Sequence, residues 1–137
     1  MDRGDHHGSF IIATTPADAA AALRSIPRSR RHHGVDVLVP HIVPYGVAIG
    51  GCGCDLQAIV ARFRGTLGDG PTPVRVRVCT CRDARHLPGR LLLRHAAITV
   101  TGRKGRWWWR SPAERLARAL INEGHAVTFV ERAQAGP

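Results

Sequence analysis

All four cysteines of the chain fall in two C-x-C pairs, "GGCGCD" at 50–55 and "VCTCRD" at 78–83. Four cysteines placed at random would form two such pairs about once in a thousand arrangements, so the spacing points to a shared role. The first candidate role is metal binding. Zinc takes four thiolates at about 2.3 Å, which sets the sulfurs roughly 3.8 Å apart. Residues i and i+2 of an extended strand stand ~6.5 to 7 Å apart, so Cys52, Cys54, Cys79 and Cys81 can close on one zinc ion only where the chain bends. Gly53 eases such a bend in the first pair. The turn signal "RDARHLPG" after Cys81 offers one for the second. Mixed ligation by His41, His86 or His95 is allowed but not indicated by spacing. The second role is redox, because Arg75, Arg77 and Arg82 would stabilise a nearby thiolate. The same arginines would offset the charge of a four-thiolate zinc, so they do not separate the two roles. The third reading is that the cysteines are small buried core residues.

The pairs sit in a strongly basic chain. There are 20 Lys plus Arg against 10 Asp plus Glu, a net charge of +10, and Lys104 is the only lysine. A GC-rich coding bias accounts for arginine without a function. An anionic partner accounts for it with one, because guanidinium binds phosphate bidentately and stacks on bases. Three clusters are candidates: Arg28, Arg30 and Arg31; Arg75 and Arg77; and "GRKGRWWWR" at 102–110, with Arg103, Lys104 and Arg106. In a strand Trp107 and Trp109 share one face and Trp108 takes the other. Trp107 or Trp109, if exposed, would stack on a base, worth about 1 to 3 kcal/mol in single-strand binding. The bland alternative gives all three tryptophans to a core that has only Tyr45 and three Phe besides.

Signals for catalysis are thin. His33 near Asp36, or His86 near Asp83, would form an acid–base couple for RNA cleavage. No carboxylates cluster as a two-metal nuclease needs, and there is no G-x-S-x-G or H-E-x-x-H. The glycines of "GVAIGGCGCDLQAIV" follow an apolar run and precede a helix, a context for phosphate binding, but they match neither a P-loop nor a dinucleotide fingerprint.

The elements that must position these groups follow from periodicity. "SFIIAT" (9–14), "VDVLV" (35–39), the strictly alternating "VRVRVCTC" (74–81) and "HAVTFVE" (125–131) read as strands. Pro40 and Pro44 make "PHIVPYGVAIGG" an edge strand or a bent segment. Thr15-Pro16 opens a helix that Pro27 stops, and Asp55 caps another over 56–63. Ser111-Pro112-Ala113-Glu114 is a capping box, and that helix ends at Gly124. "RLLLRHAAITVTG" and "RWWWR" read as two strands of a hairpin with "GRKG" at its tip.

The resulting expectation is one α+β domain over 9–131, between flexible tails at 1–8 and 132–137. Its sheet is mixed and mostly antiparallel, with about three helices mainly on one face. No apolar run approaches a membrane span and no secretory signal opens the chain, which points to the cytoplasm. The function expected is binding of nucleic acid or another polyanion, largely through phosphates, by a zinc-stabilised protein rather than an enzyme. One alternative is a regulatory subunit that meets an acidic protein and senses redox or metal through its C-x-C thiols. A second is a small basic ribonuclease.

Overall fold

The computed structural model describes residues 9–31, 33–43, 45–46, 56–68, 70, 72–82, 97–105 and 108–131. Cys52 and Cys54, the turn at 82–89 beyond Arg82, the first half of the expected strand at 90–102, Arg106, Trp107 and both tails lie outside them. The elements in chain order are β1 (Ser9–Ile12), α1 (Pro16–Ser25), the single turn α2 (Arg28–Arg31), β2 (Val35–Ile42), α3 (Leu56–Leu67), β3 (Val74–Cys81), β4 (Ala97–Gly102), α4 (Pro112–Asn122) and β5 (Ala126–Glu131).

The strands form a five-stranded sheet in the order β3-β2-β1-β4-β5, and every pairing is parallel. This corrects the expectation of a mostly antiparallel sheet. The helices also lie on both faces. Odd-numbered residues of β1 and β2 (Ile11, Val35, Val37, Val39), with Ala13 just after β1, meet Ala19 and Ala22 of α1 and Phe63 and Leu67 of α3. Even-numbered residues (Phe10, Ile12, Leu38, Ile98, Val100) meet Leu116, Ala117 and Leu120 of α4. Parallel neighbours need a long crossover, and crossovers in one sheet keep one hand. A chain that steps from β1 to β2 to β3 with helices on one face must therefore carry its β4-to-β5 helix on the other. Burial on both faces is why β1 is buried at all four positions and reads as a continuous apolar run.

Local chemistry sets the helix ends. Thr15 Oγ1 accepts a hydrogen bond from the Asp18 amide at 3.1 Å, and Pro16 occupies the first helical position. At the end of α4, Gly124 adopts φ +96°. Its N–H donates to Ile121 O and that of His125 to Leu120 O, which closes the helix with the left-handed turn glycine permits.

Two expectations about strands need correction. "GRKG" is not a hairpin tip: Gly102 ends β4, and the chain passes through Arg103–Gly105 toward α4, with Trp109 in only an isolated bridge. β2 runs through Pro40 although it lies inside the sheet. Its pairing with β1 stops at Leu38, while its pairing with β3 continues to Ile42. At Pro40 the strand is thus bonded on one side alone, where a missing N–H is tolerated.

Candidate functional site

Strand order reverses at β1. The chain leaves β1 toward β2 on one side and leaves β4 toward β5 on the other, so the loops after these neighbouring strands diverge to opposite faces. In open parallel sheets the crevice left at the carboxyl ends of such strands is where ligands bind. Here it lies between Ala13–Thr15, leading into α1, and Arg103–Gly105, leading toward α4. Thr101 Oγ1 donates to Ile12 O at 3.3 Å and ties the two strands at its mouth.

Both walls are fixed by sequence chemistry. The capping box at α4 is complete: Ser111 Oγ accepts from the Glu114 amide at 3.2 Å, and Glu114 Oε1 accepts from the Ser111 amide at 2.8 Å. The same carboxylate oxygen accepts from the Gly105 amide at 2.6 Å. The Ser111 and then the Gly105 amide bonds hold the Glu114 carboxyl below its usual 4.5, with Lys104 adding to the effect. The glycines are required by space. A Cβ on Gly102 would collide with the Ala113 side chain, and one on Gly105 would stand 2.6 Å from the Ser111 nitrogen.

Beside the crevice, on the α1 side of β4 and β5, is a cavity of about 370 Å³. Thr15, Asp18, Arg24, Thr101 and Glu131 give it polar walls, with Ala21 and Val130 among its apolar contacts. Arg103 and Lys104 are exposed at the carboxyl edge. Trp108 and Trp109 follow, 57% and 64% exposed, and the Arg115 guanidinium lies 5.5 Å from the Trp109 ring centroid.

The sequence-predicted residues are divided by this architecture. Arg103, Lys104 and Trp109 come together at the carboxyl edge, where Arg110 and Arg115 join them. Arg28, Arg30 and Arg31 lie on α2, at the amino edge, about 20 Å away along a six-residue strand. Arg75 and Arg77 project from the outer strand β3, 3.8 and 4.0 Å from the Asp36 carboxylate. Two guanidiniums on one carboxylate leave a surplus positive charge there. His33, Asp36 and Arg75 share the lining of a groove of about 300 Å³ at the amino edge.

β3 is regular through Cys81, in ladder with β2, and the bend that a two-thiol clamp needs at Cys79–Cys81 is absent from this strand. Cys81 is 1% exposed in the cluster of Leu38 and Ile98, and Cys79 packs against that cluster. Among the described residues no group of three or more His, Cys, Asp or Glu could hold a metal ion. No described helix is long and apolar enough to cross a membrane.

Thr15, read from sequence as a helix cap, and Asp18, Thr101, Glu131, Trp108 and Arg115 were not read from sequence as site residues. Their proximity depends on strand order, which no local pattern carries. Comparison with protein-family models, curated proteins and solved structures returns no match.

Proposed function

We propose that the chain binds a phosphate-bearing ligand of the nucleotide class in the crevice at the carboxyl ends of β1 and β4. The reversal of strand order at that place carries the reading. Arg103 and Lys104 are exposed at the carboxyl edge and supply charge for phosphate oxygens, and the cavity lined by Thr15, Asp18, Thr101 and Glu131 has the hydroxyls and carboxylates that suit a sugar. Its volume of about 370 Å³ falls in the range of small-molecule pockets. Titration with nucleoside mono-, di- and triphosphates tests this. Affinity should rise with phosphate number and fall at least about tenfold in an Arg103→Ala/Lys104→Ala variant, since charge-assisted hydrogen bonds are lost. Equal affinity for the unphosphorylated nucleoside would sink the proposal.

A second reading is favoured by a separate observation, the exposed Trp108 and Trp109 among Arg110 and Arg115. The edge would then take single-stranded nucleic acid, with bases on the tryptophans and phosphates on the cations. Affinity that grows with oligonucleotide length and falls steeply with salt distinguishes this from a mononucleotide site. A zinc role remains a proposal that would rest on Cys52 and Cys54 with a thiol from β3.

A further inference from the structure

At the opposite end of the sheet lies a smaller cavity, of about 210 Å³, under the end of α1 and the first residues of β1, β4 and β5. Its lining includes Ser9, Ser25, Thr99 and Thr128, with Arg30 of α2 contributing the charged group. Ser9 is 3% exposed, and its Oγ is buried with no hydrogen-bond partner. A buried hydroxyl without a partner is costly and uncommon, and Ser9 is one of the residues that line this cavity, so a polar group supplied there has a donor to satisfy.

The chemistry of that group follows from its surroundings. Among the described residues no acidic side chain lines the cavity, and Arg28 and Arg31 flank Arg30 on the same turn. The end of a helix would ordinarily repel an anion through its last carbonyls. Here Ser25 Oγ donates to Ala22 O at 2.6 Å and the Ile26 amide donates to Leu23 O, so two of those carbonyls are already engaged. A hydroxyl donor, further hydroxyls and a guanidinium around a small space suit an oxyanion. The volume, smaller than that of the cavity at the carboxyl edge, suits a phosphate, sulfate or small carboxylate.

We infer that this cavity is a small-oxyanion site, held by Ser9 and Arg30 and separate from the crevice at the carboxyl edge. The anion seats against the Ser9 hydroxyl and pairs with Arg30, which fixes α2 against the ends of β1 and β4.

The test is calorimetric titration of the intact protein with inorganic phosphate, with sulfate and acetate as further probes. Arg30→Gln should weaken phosphate binding at least about tenfold, and Ser9→Ala by several-fold, as expected for a charged and a neutral hydrogen bond. Arg28→Gln and the Arg103→Ala/Lys104→Ala pair should leave it unchanged. Ser9→Ala should not lower the melting temperature without ligand, because the orphan hydroxyl is removed, but it should shrink the stabilisation that phosphate gives. Absence of phosphate binding up to about 10 mM, an affinity at the bottom of the useful scale, overturns the inference. So does binding that survives Arg30→Gln. Loss of phosphate binding in the Arg103→Ala/Lys104→Ala pair alone also overturns it, and would leave the nucleotide proposal standing.

Discussion

The Glu114 carboxylate grips the amide of Gly105, nine residues upstream, at 2.6 Å. A side chain that caps its own helix therefore also anchors the loop that forms one wall of the crevice. Replacing Glu114 with Ala should release both the Gly105 and Ser111 amides. Hydrogen exchange at these two positions should accelerate together, while the core amides of β1 keep their protection.

The same grip sets a pH dependence. The Glu114 carboxyl is held below its usual 4.5 by the Ser111 and Gly105 amides. A depressed carboxyl contributes stability that is fully present above the unfolded value and is lost as pH falls through the folded one. The protection factor at Gly105, which corrects exchange for its intrinsic pH dependence, should thus be constant from neutrality down to about pH 4.5 and fall below it. In Glu114→Gln this step should vanish.

Removing the other half of the box, Ser111→Ala, should cost about 1 kcal/mol of stability, as loss of a serine cap does. Chemical denaturation reads this directly. For comparison, Leu120→Ala, at a position with 0% exposure in the α4 cluster, should cost about 2 to 5 kcal/mol.

Gly102 and Ala113 compete for one space, because a Cβ on the glycine collides with the alanine methyl. Gly102→Ala should lower the melting temperature, and Gly102→Ala/Ala113→Gly should recover part of the loss. Additive losses in the double variant would contradict the contact.

The thiols should differ in reactivity. Cys81 is buried and Cys79 half-buried, so a thiol reagent should modify Cys79 first and reach Cys81 only on unfolding. Repeating the titration with zinc and then a chelator tests metal protection of Cys52 and Cys54 in the same experiment.

The sequence disclosed what short-range chemistry decides. Ser111 and Glu114 bracket a proline, Thr15 precedes another, and Gly124 follows the last apolar position of α4; each capping feature is present. Valines at 74, 76 and 78 alternate with arginines, and β3 spans that run. Strand direction was not legible in the same way. Gly102 and Gly105 look alike in a hairpin and in a strand-to-helix loop; only Ala113 and Glu114, brought there by the fold, explain them. Pro40 pointed to an edge strand or a bend, yet β2 lies inside the sheet; the proline is accommodated because pairing with β1 ends at Leu38, before it is reached. The crevice was hidden for the same reason: Thr15 and Thr101 meet through pairing of β1 with β4, not through spacing in the chain.

That pairing also shapes how the protein is made. β1 occupies the middle of the sheet, yet the bond from Thr101 back to Ile12 spans 89 residues. At about 5 to 20 residues per second, a ribosome takes some seconds to deliver β4 after β1 has emerged. During that interval Phe10 and Ile12 face water on the side α4 will cover, and one edge of β1 remains open. The nascent chain thus holds the apolar strand β1 incompletely covered until β4 and α4 arrive, which makes β1 an expected binding segment for a chaperone during synthesis.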